Sequence, residues 1–496
     1  MAGPLVTKQE NLRVPVDFRY RKKARTILPD LSGALSVTIL DRGDMPFLIL
    51  PNEVRSDQVF LWIGIINEPD DPAVLQLFTN GAATGIPANW GSYTTASTRN
   101  SIRYQLFIVN GLQPRTDYVF ELFRGGELLA TCSARTLPVD LPFRDGQPFT
   151  VLLSSCFCSA RPESASIGST YLRLRMQDKP DIKILAGDQV YLDDPALHFT
   201  FNTHTREELE DMLFTNYART WTQSGFANGN NAYLKDGANF FASDDHEFWN
   251  NAPDAATLIL DTLSQGGRDD WWELASNLYR IFQTTKSATT FDVGPLSFYL
   301  ADTRVNRGPG RNDFMSLGDR DALETWVNGI TGVGVLVVGQ PIFASKAGFF
   351  ASRFADKHLP NYKQYEDLAR ILSRTQRSII VLTGDVHYGR IASCQLGPNV
   401  FLHEVISSPT SLVNPLVGGK WDPAPDIFPD FGVPGVLNRA ITTDSSYQLS
   451  KNHFLTLAFF RDGAELSVRV KSVEITGNGQ APMPKEIAKF DFLLGA

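Results

Sequence analysis

The 496-residue chain has no surplus of positive charge: 46 Lys and Arg stand against 54 Asp and Glu, a formal net charge of −8. Its acidic residues are spread along the sequence, and the basic stripe on which nucleic-acid binding depends is missing. Anionic small substrates remain open to it if a local cluster of metal or arginine overcomes the overall field. No stretch approaches the roughly 20 continuous apolar residues that span a bilayer. The opening residues, MAGPLVTKQENLRVPVDFRYRKKAR, lack the apolar segment of a secretory signal, so the expected location is cytoplasmic. Cysteine is scarce, four in all. That is no disulfide framework, and Cys156 and Cys158 stand too close for an unstrained mutual bridge. Any chemistry they carry is thiolate chemistry. The G-x-S-x-G elbow of serine hydrolases is also absent.

What is present describes a globular protein, with 43% hydrophobic and 20% charged residues. The length is too great for one ordinary core and predicts two or more domains. Residues 55–138 read as successive strands, among them DQVFLWIGI, YQLFIVNGL and DYVFELFRGG, separated by turn residues. In GLQPRTDYVFEL, residues Leu112, Pro114, Thr116 and Tyr118 alternate into a strand, an arrangement similar to the tyrosine corner of fibronectin type III and immunoglobulin-like sandwiches. An all-β sandwich is expected here, with residues 1–54 as an extended lead-in.

From residue 145 to 496 the texture changes to strands alternating with helical patterns. FTVLLSSC, DIKILAGD, NFFASDD, LSFYLADTR, GVLVVGQP and SIIVLTGDVHYG are short apolar runs, most ending in polar residues. TREELEDMLFTNYARTW opens with a capping box of Thr205 and Glu208 and carries Leu209, Met212, Leu213 and Tyr217 on one face. Layered α/β folds place functional residues at such strand ends. The run FLTLAFFRDGAELSVRVKSVEI predicts a hairpin turning at Asp462 and Gly463.

The strand ends present Cys156; Asp188 and Tyr191; Asp244, Asp245, His246, Glu247 and Asn250; Asp302 and Arg304; Asp385 and His387. Each has a plainer reading alone: Gly-Asp as a turn, Cys156 as a small buried hydrophobe, Arg304 as an ion-pair arginine. Together, on neighbouring strands, they would converge on one rim. Several carboxylates meeting there repel unless cations sit between them. Two metals bridged by a carboxylate suit that geometry, and such sites serve in-line displacement at phosphorus.

The order SSC, GDQVY, DDHEFWNN, ADTRVNR, GDVHYG resembles the alkaline phosphatase D type (PhoD-like) branch of the metallophosphoesterases over roughly residues 145–475, and the preceding sandwich resembles that family's N-terminal domain. The resemblance implies a four-layer α/β/β/α sandwich and hydrolysis of phosphate mono- or diesters by metal-bound hydroxide. It implies ferric iron and calcium, with zinc or manganese as the alternative pair. Cys156, Tyr191 and Asp385 would bind iron, Asp188 would bridge, and Asp245 and Asn250 would serve the second metal. Asn251 is the alternative to Asn250. His387 is a ligand or a proton donor, His246 a second candidate acid, and Arg304 a clamp on the phosphoryl oxygens. Ferric iron favours the anionic donors in this set, and calcium favours carboxylate and amide oxygens. Ser243 and Phe157 depart from the family's usual residues and bear on substrate preference, while the missing signal segment departs from exported relatives. The rival reading is a non-catalytic binding protein stabilised by its metals.

Overall fold

The computed structural model describes residues 47–68, 72–87, 89–144, 146–193, 203–222, 233–256, 259–308, 310–346, 358–411, 421–476 and 482–494. The lead-in expected over residues 1–54 lies outside the described residues as far as residue 46. Its last eight residues are not a lead-in but a strand, because FLILPNEV supplies an apolar run that pairs along its length with the next strand.

Eight strands come first: β1 (Phe47–Val54), β2 (Gln58–Ile66), β3 (Leu75–Thr79), β4 (Ala82–Thr84), β5 (Gly91–Thr94), β6 (Ser101–Asn110), β7 (Asp117–Arg124) and β8 (Glu127–Arg135). They form two antiparallel sheets, ordered β1-β2-β6-β5 and β4-β3-β7-β8. Alternate residues explain why the sheets share a core: Ile49, Leu61 and Ile63 from one meet Leu77, Phe120 and Leu122 from the other. The Tyr118 hydroxyl accepts the Gln113 N–H at 2.9 Å, pinning the turn before β7 as a tyrosine corner does.

A mixed α/β part follows. Its strands are β9 (Phe149–Ser154), β10 (Ile182–Ala186), β11 (Ala238–Ala242), β12 (Ala288–Val293), β13 (Leu296–Ala301), β14 (Val333–Val337), β15 (Ile379–Thr383), β16 (Arg390–Gly397), β17 (Val400–Ile406), β18 (Ile427–Phe428), β19 (Arg439–Thr443), β20 (His453–Asp462), β21 (Glu465–Glu474) and β22 (Lys485–Leu493). Its helices are α1 (Ser166–Leu172), α2 (Arg206–Thr222), α3 (Gln265–Phe282), α4 (Leu317–Gly329) and α5 (Tyr365–Ser373). One sheet runs β11-β10-β9-β20-β21-β22 and the other β12-β13-β14-β15-β17-β16-β19-β18. Strands β9, β10 and β11 are parallel neighbours, as are β13, β14, β15 and β17.

The parallel strands are continuous apolar runs because both faces are buried. Leu153 and Ile184 share a cluster with Val335 and Leu382 of the other sheet. Leu152 and Leu185 face Leu213 of α2 and Leu278 of α3, while Leu336 and Val381 face Leu323 of α4 and Leu368 of α5. The capping box at Thr205 forms as the sequence predicts: its N–H donates to Glu208 at 2.9 Å, and the Glu208 N–H donates back at 3.3 Å. The predicted hairpin joins β20 to β21, with Gly463 at φ 63° in its turn.

Two histidines are buried among neutral hydrogen-bond and ring partners. His403 stacks on Phe490 at 4.2 Å and bonds Ser393 at 2.7 Å; His453 donates from Nδ1 to the Lys451 carbonyl at 2.7 Å and accepts from Tyr447 at 2.6 Å. Burial pushes each imidazole down from 6.5 to about 4. The unfolded chain therefore takes up protons first as pH falls below about 6.5, so this contribution is complete above that pH and is lost progressively down to about 4. Each histidine should lower stability by about 2 kcal/mol between pH 7 and pH 5. Urea unfolding of His403→Gln at the two pH values should show a shallower loss than wild type; an equal slope would mean that His403 titrates normally.

Candidate metal centre

The candidate site lies where parallel strands stop. β9 leads to Cys156, β10 to Asp188, β11 to Asp244 and Asp245, and β15 to Asp385. Two Gly-Asp pairs owe their glycines to close approach between these ends. A Cβ on Gly187 would lie 2.6 Å from the Asp244 Cβ, and one on Gly384 would lie 2.3 Å from the Ser155 Cβ. Cys156, Asp188, Asn251, Asp385 and His387 all adopt left-handed backbone, φ 56° to 70°. Such conformations cost on the order of 1 kcal/mol or more each and persist where surrounding contacts enforce them, commonly at functional sites.

One enforcing contact is Glu247, which is fully buried. Its carboxylate accepts the backbone N–H groups of Asp188 at 2.9 Å, Gln189 at 2.6 Å and Asp244 at 2.8 Å, and the Gln283 amide at 3.2 Å. A single side chain thus fixes the ends of β10 and β11 against each other. The acidic residue anticipated as part of a ligand-rich turn acts from behind the ligands.

Carboxylate oxygens of Asp188, Asp244, Asp245 and Asp385 lie within 4.8 Å of one another, and ligand atoms of Asp188, Asp245 and His246 form a second such group. The Cys156 Sγ and the Tyr191 hydroxyl each approach the same Asp188 oxygen, Oδ2, at 3.4 Å. Tyr191 also stands 3.4 Å from Nε2 of His387, and its ring stacks on His246 at 4.0 Å. The expected set of Cys156, Asp188, Tyr191, Asp245, Asp385 and His387 therefore gathers in one place. Asp244 joins it, although only its neighbour was expected as a ligand.

The asparagines stand at the edge. Asn250 is exposed, its backbone N–H donates to Asp193 at 2.8 Å, and its side-chain oxygen accepts from the Asn251 amide. Asn251 donates its backbone N–H to Asp245 at 2.6 Å. Asp193, which sequence reasoning missed, also bonds His246 Nδ1 at 2.6 Å, leaving Nε2 as that ring's remaining polar atom. A carboxylate behind a histidine is the arrangement that orients metal-ligating and proton-transferring imidazoles. Its only sequence signal was its place two residues beyond Tyr191.

Arg304 is buried and its donors are turned away from open space. Nε bonds Asp244 Oδ1 at 2.9 Å, Nη2 bonds the same oxygen, and Nη1 bonds the Ala252 carbonyl at 2.8 Å. The forked donors expected to clamp a phosphoryl group instead hold Asp244 and the 249–254 segment. Gln340 and Arg307 make a parallel support: Arg307 Nη2 bonds Gln340 at 2.7 Å, and Gln340 bonds Asp385 Oδ2 at 3.0 Å.

The electrostatics fit a cation. Burial, and after it the Cys156 thiol, pushes the Asp188 carboxyl well up; burial, then Asp385, pushes the Cys156 thiol up to about 12. Burial likewise raises the Tyr191 phenol. Burial carries Asp244 up to about 6 despite Arg304. For Asp245, burial is outweighed by His246 and Arg304, which hold its carboxyl below the ordinary value. Added positive charge would return these donors to the anionic forms that bind metals. Oδ2 of Asp244 and Oδ1 of Asp245 are buried and meet no hydrogen-bond donor among the described residues, as ligand oxygens would be placed.

Among solved structures the chain is similar to PhoD, at 16% identity and a TM-score of 0.59, covering 90% of both chains. The chain is PhoD-like in fold. A glycosyl hydrolase family 2 member from Bacteroides cellulosilyticus, 8% identical with a TM-score of 0.24 and covering 90% of this chain and 63% of that one, adds nothing at that score. No family model and no curated protein matches the chain.

Arg304→Lys tests the support of Asp244. The ammonium keeps the charge but cannot give a fork to Asp244 and a third donor to the Ala252 carbonyl. Affinity for added metal should fall by about 10- to 100-fold, as for other lost outer-shell contacts, with the far-UV circular dichroism retained. Unchanged metal affinity would show that Asp244 does not depend on Arg304.

Proposed function

We propose that the protein is a metal-dependent hydrolase of phosphate esters, acting on monoesters, diesters or both. The observation that carries this reading is the group of four buried aspartates with ligand atoms within 4.8 Å, two of whose oxygens lack a donor among the described residues, set on a PhoD-like fold. Within it we assign residues 145–496 to a four-layer α/β/β/α sandwich, supported by the helices on the outer face of each sheet. The strands of residues 47–138 we assign to a fibronectin III-like domain, supported by the Tyr118 hydrogen bond.

The donor types divide the site in two. Cys156, Tyr191 and Asp385 lie around Asp188 and would hold ferric iron, with Asp188 as the bridging carboxylate. Asp244 and Asp245 offer their unpaired oxygens to calcium, with Asn250 or Asn251 at the rim. When bound, the cations supply Lewis acidity that activates water and draws charge from the phosphoryl oxygens. The chain's own residues do the rest. Glu247 fixes the ends of β10 and β11, Arg304 holds Asp244, and Asp193 aims His246 so that Nε2 can hand a proton to the leaving alkoxide. His387, beside the Tyr191 hydroxyl, orients that phenol or joins it as a ligand.

Colour tests the iron half of the assignment. Phenolate or thiolate on ferric iron absorbs visible light, whereas zinc or calcium with the same ligands does not, so the purified protein should be coloured and Tyr191→Phe should weaken or shift the band. Reduction should bleach colour and activity together. A colourless, fully active protein loaded with zinc or manganese would remove iron and leave the hydrolase, and failure of the metal-replete protein to turn over either aryl phosphate monoesters or diesters would leave the non-catalytic reading.

The rim asparagines can be separated by single substitutions. Asn250→Ala and Asn251→Ala should differ, the true ligand's loss reducing calcium content and turnover by about 10-fold or more. Wild-type calcium content in both would return that segment to a solvated turn.

A further inference from the structure

The ends of β9, β10, β11 and β15 bring sulfur and acidic groups to the candidate centre, and a further strand end arrives beside them. β17 lies next to β15 and stops at Ile406; the buried run Ser407, Ser408, Pro409, Thr410 and Ser411 that follows packs around the turn of residues 155–158. It does so largely through backbone groups. The Thr410 N–H donates to the Ser155 carbonyl at 2.9 Å, the Ser411 N–H to the Cys156 carbonyl at 3.2 Å, and the Cys158 N–H to the Ser411 hydroxyl at 2.8 Å. Two segments far apart in sequence are thereby fixed against each other.

Within that run the Ser408 hydroxyl accepts the His387 N–H at 2.9 Å and stands 3.1 Å from the Cys156 Sγ. A hydroxyl has one proton to give. Since the bond from His387 uses that residue's own proton, the Ser408 proton is left for the sulfur. Ser155 Oγ also approaches Cys156 Sγ, at 3.4 Å, but it stands 2.9 Å from the Ser407 carbonyl, the better acceptor for its single proton. The sulfur's other polar neighbours are Asp188 Oδ2 at 3.4 Å and the Asp385 carbonyl at 3.5 Å. An ionised carboxylate and a carbonyl have no proton to donate. A metal-bound thiolate has none either, which leaves Ser408 as its donor among the described residues.

We propose that Ser408 is a positioning residue of the candidate centre, donating a hydrogen bond to the Cys156 thiolate while its oxygen holds the backbone of His387. The proposal rests on the reading of Cys156 as a metal ligand. A donor on a thiolate draws electron density from the sulfur, so that less reaches the metal. Charge transfer from sulfur to metal then needs more energy, and the reduced state of a redox-active ion is favoured. The same hydroxyl couples two sides of the centre, because Cys156 follows β9 and His387 follows β15.

Cobalt(II) substitution tests this, since a thiolate on cobalt absorbs in the near ultraviolet whatever ion the protein holds natively. In Ser408→Ala, which keeps the Cβ and loses the hydroxyl, the thiolate band should move to longer wavelength, and cobalt affinity should fall by about 10-fold with the far-UV circular dichroism retained. Ser408→Thr keeps a hydroxyl, and Ser155→Ala removes one committed to a carbonyl; both should show the wild-type band. An unshifted band in Ser408→Ala, or the same shift in Ser408→Thr, would overturn the proposal and leave Cys156 a ligand. A wild-type protein with no thiolate band would overturn the ligand assignment itself, and the proposal with it.

Discussion

Four aspartate carboxylates share one buried rim, and their mutual repulsion is the constraint around which the rest of the molecule is arranged. At separations near 4 to 5 Å, each charged pair costs about 3 to 4 kcal/mol at an effective dielectric of about 20, so six pairs approach 20 kcal/mol. That exceeds the 5 to 15 kcal/mol by which a domain is typically stable. Arg304 answers for one carboxylate, Asp244, and it is buried where solvent does not screen it. Against burial, His246 and Arg304 also hold the Asp245 carboxyl below its ordinary value, while burial pushes the Asp188 carboxyl well up. The remaining repulsion is relieved by protonation or by bound cations, and the two carboxylate oxygens without donors among the described residues favour the second.

Such a cluster needs an unyielding frame. Two mixed sheets that share apolar clusters with each other and with the helices supply strands whose ends can move little without disturbing close packing. The last adjustment is local. Gly187 and Gly384 let neighbouring strand ends come within contact where any side chain would collide, and Glu247 then ties two of those ends together through their N–H groups. The left-handed backbone at Cys156, Asp188 and Asp385 is affordable only because of these contacts. Preorganisation of this kind holds ligand atoms in place before any ion arrives.

Much of this was legible in the sequence. Apolar runs ending in Asp, Cys and His marked the strands and their functional ends, because a strand buried on both faces leaves polar side chains nowhere to go but its termini. The hairpin at Gly463 and the capping box at Thr205 were legible for the same local reasons. Less visible were contacts between segments distant in sequence. Asp193 and Gln340 carry no pattern of their own; they matter because folding sets them beside His246 and Asp385. Arg304 was misdirected for a related reason: charge and position suggested a phosphoryl clamp, but which way a buried guanidinium points depends on its partners. The first strand, Phe47–Val54, was missed although Gly43, Asp44 and Pro46 give a turn signal just before it.

The N-terminal sheets are more than a neighbour of the site. Trp62 of β2 bonds the last turn of α3, Glu53 of β1 meets Lys286 just beyond that helix, and Asn52 bonds the Gln283 carbonyl between them. Gln283 in turn bonds Glu247, and Glu247 holds the backbone of Asp188 and Asp244. Asn52, Gln283 and Glu247 thus connect the edge strand β1 to two members of the aspartate cluster without a break. Separate domains joined by a flexible linker would leave the cluster indifferent to the sheets before it. Here the buried amides make the first strand part of the frame that carries the site.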